Sequence, residues 1–260
     1  MPKTRLDVLL VMRGFVSSRS AAQKLVLAGQ VRVNGQVALK PSWEIDPNSA
    51  IDIEQGLRYV SRGGEKLSVA LDHFAITVSD KVCADIGAST GGFTDCLLQR
   101  GARRVYAIDV GKGILAWKLR NNPRVVVMED TNVRYLEHLP EEVQLVTIDV
   151  SFISLKVVLP VVQKWLKQAE QFAEVVALIK PQFEAGRREA ARGAGVIRSA
   201  EIHQRVIAEI KSCAQSLVFH VQGVMESPLL GAKGNREFLI WLSYTPSDET
   251  SHPPRLSADG

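Results

Sequence analysis

Beyond residue 75 the chain alternates between short apolar runs and longer stretches whose apolar residues recur three and four positions apart. The apolar runs are VCADIGA, RRVYAIDV, RVVVMED, LVTIDVSF, EVVALIKPQF, FHVQGVM and REFLIWLS. Each reads as a strand. Helical spacing predicts helices near 92–100, 113–121, 154–168 and 200–217, with another from about Glu65 to Phe74 ahead of the first strand. Seven strands in β-α alternation predict an α/β fold, a doubly wound sheet with helices on both faces. Ligands of such sheets bind outside the carboxyl ends of the strands, so the residues just after each strand are the ones to examine.

The first sixty residues follow another pattern. Two short amphipathic helices are expected over 5–13 and 19–28, the second capped by Ser17 or Ser18 and stopped by Gly29. QVRVNGQVALKPSWEI then alternates apolar and polar positions, with Asn34-Gly35 supplying a tight hairpin turn. The expected organisation is a small α+β domain over 1–57, a linker over 58–64, the large domain over 65–244, and a polar, Pro-rich tail over 245–260 that reads as disordered.

Charge sharpens this division. The net charge is +4, yet residues 1–40 carry Lys3, Arg5, Arg13, Arg19, Lys24, Arg32 and Lys40 against the single acid Asp7. Positive charge concentrated on one small module suggests a polyanionic partner. A second basic cluster is Arg187, Arg188, Arg192 and Arg198. The three scattered cysteines, Cys83, Cys96 and Cys213, suggest neither a disulfide framework nor a metal site. With no apolar run long enough to span a bilayer and no cleavable leader, a cytoplasmic protein is expected, a monomer by default.

CADIGASTGGFTD, residues 83–95, joins the first strand of the large domain to its helix through three glycines. A phosphate loop of the Walker type ends in Gly-Lys-Ser/Thr, and this loop contains no lysine. A dinucleotide fingerprint spaces its glycines G-x-G-x-x-G, whereas here they fall at Gly87, Gly91 and Gly92. Asp85, just before the turn, would repel a pyrophosphate but suits a ligand with an ammonium group. S-adenosylmethionine is such a ligand, with an amino-acid end, a sulfonium and no phosphate. On this reading Gly87, Ala88, Ser89, Thr90, Gly91, Gly92 and Phe93 pass close to its methionine part. Asp109, 22 positions after Gly87, ends the second strand and suits the two ribose hydroxyls. Asp130, after the third strand, suits the adenine amino group.

Four more ionisable residues fall on the same edge: Asp149 after the fourth strand, Lys180 after the fifth, Glu237 opening the seventh, and Lys66 on the helix ahead of the domain. An ionisable residue ending an apolar strand must face a cleft or be paired, because burial alone is costly. The set Lys66, Asp149, Lys180 and Glu237 resembles the tetrad of the FtsJ-like 2′-O-ribose RNA methyltransferases. RLDVLL and SSRSAAQKLVLAGQVRVNG, within 4–50, resemble the S4 RNA-binding domain. With SRGGEKL, DIGASTGGFTD, DVSFISL and KPQFE, the chain to about residue 244 resembles the TlyA family, sometimes labelled haemolysin A. The resemblance implies a Rossmann-like class I methyltransferase domain behind an S4-like module, using S-adenosylmethionine to methylate cytidine 2′-hydroxyls of ribosomal RNA. It also implies Lys66, Asp149, Lys180 and Glu237 as catalytic residues, with Asp149 touching the cofactor.

The chemistry is compatible with that implication. Methyl transfer from a sulfonium is an in-line displacement that needs alignment and no metal. A ribose hydroxyl is a weak nucleophile at neutral pH, so a base that takes or orients its proton helps. Lys180 is the candidate base, Lys66 the neighbouring positive charge, and Asp149 and Glu237 the groups that position the two amines. An amine serves as a base only when neutral, which burial and a nearby cation favour and nearby carboxylates oppose. For RNA, the candidates are Arg5, Arg19, Lys24 and Arg32 on the small module and Arg187 and Arg188 on the Gly- and Arg-rich segment after the fifth strand. That segment reads equally as a clamp or an ordinary loop. Trp117, Phe152 and Phe93 read more readily as core than as stacking surfaces. Two other readings stand beside the enzyme: an RNA-binding assembly protein with an inactive methyltransferase fold, and a membrane-lytic protein, which the absence of a lytic helix disfavours.

Overall fold

The computed structural model describes residues 2–53, 58–168, 171–186, 189 and 193–246. Residue contacts divide the chain into two compact units, Met1–Arg58 and Tyr59–Gly260.

In the first unit, strand β1 (Thr4–Arg5) leads into helices α1 (Leu6–Met12) and α2 (Arg19–Leu27). Of the two candidate caps it is Ser18 that accepts from the Ala21 amide, at 3.2 Å. Strands β2 (Val31–Val33) and β3 (Gln36–Val37) form the expected hairpin. Its two turn residues, Asn34 and Gly35, both have positive φ (49° and 81°), the condition for a two-residue turn that matches strand twist. Strands β4 (Glu44–Ile45) and β5 (Ile51–Ile53) were not legible as separate elements; β4 pairs with β1 and β5 with β2. A thin core of Leu6, Leu9, Leu10, Ala22, Val26 and Val31 with a few neighbours joins the helices to the strands.

The second unit opens on α3 (Gly63–His73), which starts two residues before its expected start, so Gly63 and Gly64 belong to the helix. Then follow β6 (Val82–Ile86), α4 (Gly92–Gln99), β7 (Arg104–Ile108), α5 (Trp117–Arg120), β8 (Val125–Met128), β9 (Leu145–Ile148), α6 (Leu155–Gln168) and β10 (Ala173–Ile179). The chain continues through α7 (Pro181–Glu184), α8 (Ala200–Ser216), β11 (His220–Glu226) and β12 (Phe238–Tyr244). All seven expected strands form one sheet in the order β11-β12-β10-β9-β6-β7-β8. Alternate residues bury opposite faces. Val82, Ala84 and Ile86 of β6 join a core roofed by α6 and α8, while Cys83 joins a second core roofed by α3, α4 and α5.

Two features differ from expectation. The helix expected over 113–121 shrinks to four residues, because the Glu129 carboxylate takes the amides of Gly113, Ile114 and Leu115 at 2.8–3.0 Å and holds that stretch open. With Arg120 at 2.7 Å as well, Glu129 is held well below the usual carboxylate pKa range. The other difference is direction: β12 runs antiparallel to both β10 and β11, while the pairs among β6 to β10 are parallel. The N-terminal end of β12 therefore lies on the edge where the parallel strands end, and Ile179 pairs with Phe238. That register brings Lys180 and Glu237, one residue beyond each, to the same rim.

Candidate active site

The strand order reverses between β6 and β9, and the crevice there is the topological switch point. Gly87 follows β6 and Asp149 follows β9. Gly87 has φ +83°, and a Cβ on it would lie 2.5 Å from the Asp149 carbonyl oxygen. Two cavities meet at this crossing and share Gly87, Ser89, Asp149 and Ser151.

The first cavity, about 310 Å³, is lined by the loop residues Gly87–Thr90, Gly92 and Phe93, and by Arg62, Lys66, Asp149 and Lys180. Two lysine–carboxylate pairs stand here. Lys180 Nζ lies 2.6 Å from Asp149 Oδ1, and Lys66 Nζ lies 2.6 Å from Glu237 Oε2. Glu237 is buried behind the cavity wall, with its other oxygen accepting from Gln182 Nε2 at 3.2 Å. The Lys180 amine also donates to Ser151 Oγ at 3.0 Å. The structure thus brings the four residues of the expected tetrad together as two ion pairs. Ser151 and Gln182, in DVSF and KPQFE, complete the network. Neither is ionisable, so a charge at a strand end does not mark them in the sequence.

The second cavity, about 420 Å³, is mostly apolar, with Ile86, Ile108, Val110, Ile114, Val133 and Ile153 among its walls and Asp109 on one side. Asp109 accepts from the Ser89 amide at 2.8 Å through one oxygen and from the Gly111 amide at 2.7 Å through the other. It ties the glycine loop to the turn after β7 and still lines the cavity.

Three of the expected cofactor residues, Asp85, Gly91 and Asp130, line neither cavity. Asp85 is fully buried beneath the loop and lines neither cavity; it accepts from Thr94 Oγ1 at 2.6 Å and Thr147 Oγ1 at 3.1 Å. It braces β6, α4 and β9 from beneath the loop. Gly91 faces the protein: a Cβ there would lie 2.2 Å from Leu119 Cδ1, so its bareness serves the packing of α5 against the loop. Asp130 is exposed, and the wall of the second cavity is made instead by Thr131 and Asn132, the next two residues. A positive φ of 54° at Asp130 turns the chain at that point.

Burial pushes the Asp85 carboxyl up to about 7, against the two threonine hydrogen bonds. A carboxyl raised in the folded state binds its proton more tightly there than in the unfolded chain. Stability is therefore greatest below the unfolded value near 4, falls as pH rises toward 7, and stays reduced above it. The difference is about 4 kcal/mol. Asp85→Asn is expected to flatten this dependence, raising the melting temperature relative to the native chain at pH 8 more than at pH 5, as read by differential scanning calorimetry.

On the first unit, Arg5 and Arg19 each lie 3.0 Å from Asp7, whose carboxylate is fully buried and also accepts from Gln23 at 3.1 Å. The two guanidinium groups are thus fixed by an internal acid while about half of each side chain stays exposed (44% and 56%). Lys24 is exposed on α2, and Arg32 donates to the Gly35 carbonyl at 3.3 Å. Arg187 and Arg188 lie outside the described residues. The Arg5 hydrogen bonds hold Asp7 well below the usual carboxylate range, assisted by Gln23 and Arg19 against desolvation. Its contribution to stability is therefore present above the unfolded value near 4 and lost as pH falls through the depressed one. Asp7→Ala is expected to speed amide hydrogen exchange across α1 and α2 at pH 7, with the difference from the native chain shrinking in acid.

Comparison with known proteins agrees with this geometry. Residues 59–244 match the FtsJ-like methyltransferase family and residues 4–51 the S4 domain. The chain is 45% identical over 244 residues to the 16S/23S rRNA (cytidine-2′-O)-methyltransferase TlyA of Mycobacterium tuberculosis, covering 92% of this chain and 90% of that protein. The chain belongs to the TlyA family of FtsJ-like methyltransferases. It is also 44% identical to a protein named Hemolysin A from Brachyspira hyodysenteriae, over 90% of this chain and 98% of that one. A solved structure from Streptococcus thermophilus, 45% identical, superimposes with a TM-score of 0.70 over 94% of this chain and 90% of its own. Among the described residues, no helix of this TlyA-family chain is long and apolar enough to cross a membrane, and no cluster of His, Cys, Asp and Glu is placed to hold a metal ion.

Proposed function

We propose that this TlyA-family protein transfers a methyl group from S-adenosylmethionine to the 2′-hydroxyl of a cytidine in ribosomal RNA. The observation that carries the reading is the pair of lysine–carboxylate contacts set at the cavity wall directly beside the glycine loop. The cavities fit the donor. An apolar chamber with Asp109 on its wall suits an adenosine, and a polar chamber joined to it suits a charged amino-acid arm. Asp149 lines both chambers and stands at their junction, its Oδ1 held 2.6 Å from the Lys180 amine. A phosphate-bearing ligand would instead meet carboxylates at Asp109 and Asp149 and a loop without lysine.

When bound, the donor supplies an activated methyl group on a cationic sulfur. Asp109 and the Thr131–Asn132 turn hold the nucleoside end, and Gly87 to Thr90 leave their backbone open along the arm. Lys180, backed by Asp149, takes or orients the proton of the attacking hydroxyl. Lys66, fixed by Glu237, sets a second positive charge beside it. The S4 unit supplies Arg5, Arg19, Lys24 and Arg32 to RNA phosphates, with Arg5 and Arg19 preorganised by Asp7. Because the substrate is ribosomal RNA, we place the protein in the cytoplasm. A cytidine within folded RNA must turn outward to present its sugar to this crevice.

Incubation with intact ribosomal subunits and S-adenosylmethionine, followed by mass mapping of ribonucleotides, tests the reading. The expected product is 2′-O-methylcytidine at one or a few positions. Absence of methyl incorporation into either subunit, or methylation on a base, would overturn it.

A further inference from the structure

Lys180 is nine-tenths buried, and Asp149 and Ser151 stand within 3.0 Å of its amine. Asp149 Oδ1 lies close at 2.6 Å, yet that oxygen accepts no regular hydrogen bond; it supplies charge more than direction. Direction comes from Ser151, whose Oγ accepts from Nζ at 3.0 Å and is, among the described residues, the hydrogen-bond partner of this amine. Ser151 is also exposed and lines both cavities, so its hydroxyl spans the buried amine and the solvent. The next residue, Phe152, is held at φ +64°, in the left-handed region that a phenylalanine rarely adopts. Its ring is 91% exposed and lies 4.9 Å from that of Phe183. Backbone strain of this kind persists where surrounding structure fixes it, and it clusters at functional sites.

We propose that Ser151 is the positioning residue of the site, aiming the Lys180 amine and returning its proton to solvent. This rests on the reading of Lys180 as the base. A neutral amine has two N–H bonds and one lone pair; with one N–H held by Ser151 and the amine drawn to Asp149, the lone pair is left for the sugar hydroxyl. As the carbon–oxygen bond forms and the carbon–sulfur bond breaks with its electrons going to sulfur, the hydroxyl proton moves to Nζ. The ammonium then gives a proton to Ser151 Oγ while the serine's own proton leaves to water. One proton reaches solvent per methyl transferred, and the amine is neutral again.

Ser151→Ala, Ser151→Thr and Lys180→Ala are compared in the full-length protein. The alanine variant at 151 is expected to lose about 10–100-fold in kcat, with KM for RNA and the calorimetric affinity for S-adenosylmethionine unchanged. Threonine restores the rate, and imidazole, a small diffusible proton carrier, restores part of it to Ser151→Ala but none to Lys180→Ala. With no donor present, reductive methylation of Lys180 by formaldehyde and cyanoborohydride, followed by peptide mass mapping, is expected to run severalfold faster in Ser151→Ala, since the amine is no longer held. If Lys180→Ala is inactive while Ser151→Ala turns over within twofold of the native rate, the inference fails and the proposed reaction stands. If Ser151→Ala is slow but neither threonine nor imidazole helps, the serine is only a packing group and the inference fails again. If Lys180→Ala keeps its rate, the base assignment itself falls.

Discussion

Lys180→Ala is expected to lower methyl transfer to ribosomal RNA by about 10²–10⁴-fold while leaving S-adenosylmethionine affinity within about threefold of native. The expectation comes from where the side chain stands. Lys180 follows β10 on the carboxyl rim and lines the polar cavity, and its amine meets Asp149 and Ser151. The apolar cavity and the Asp109 contacts belong to other elements, so the nucleoside end of the donor loses nothing when the amine goes. A separate cost arises from Asp149, whose partly buried carboxylate loses its cation, so a modest loss of stability accompanies the loss of rate. Single-turnover methylation with tritiated donor gives the rate, and calorimetric titration gives the affinity. A variant that turns over near the native rate with affinity intact would remove Lys180 from the chemistry.

Gly87→Ala is expected to abolish cofactor binding and to lower the melting temperature by about 10 °C, because it attacks the crossing point on which both cavities depend. The residue has φ +83°, where an L-side chain is strained, and its added methyl would lie 2.5 Å from the Asp149 carbonyl oxygen and 2.9 Å from that carbonyl carbon. Neither atom can swing aside as a side-chain tip can. Asp149 N is hydrogen-bonded to the Ile86 carbonyl at 2.9 Å, and Gly87 N to that of Ile108 at 2.8 Å, so both chains are pinned by the sheet. Strain and overlap together cost about 3–5 kcal/mol, or roughly 2–4 °C per kcal/mol for a unit of this size. Thermal melts with and without S-adenosylmethionine check it: the native protein should gain stability with the ligand, and the variant should not. Native-like melting together with ligand stabilisation would show that the two strand ends have room the structure does not give them.

The sheet was legible because its central strands, β6, β9 and β10, are buried along their whole length and read as largely apolar runs, with α6 carrying buried residues at 155, 158, 159 and 162. Local patterning was weaker where long-range contacts decide the outcome. The stretch over 113–116 has helical spacing, but Glu129 captures its amides, and no rule of periodicity anticipates a carboxylate from the following strand end. The site divided along the same line. Asp149 and Lys180 were legible because a charge closing an apolar run must face a cleft or be paired, and Glu237, opening a strand, and Lys66, on a helix, through the resemblance of the four to the FtsJ-like tetrad. Asp85 met that criterion too, yet its answer was internal: two threonines, Thr94 and Thr147, satisfy it under the loop. Ser151, Asn132 and Thr131 carry no charge and lie in turns, where only the folded backbone shows which side chains reach a cavity.

The sheet order also ties the site to a strand that lies late in the sequence. The last strand among the described residues, β12, slots between β10 and β11 instead of adding at the margin, and Glu237 stands just before its start. A nascent chain halted before residue 236 thus leaves β10 and β11 with bare, unpaired edges and Lys66 lacking its carboxylate. Filling of the gap between β10 and β11 and delivery of a carboxylate to Lys66 depend on one and the same strand.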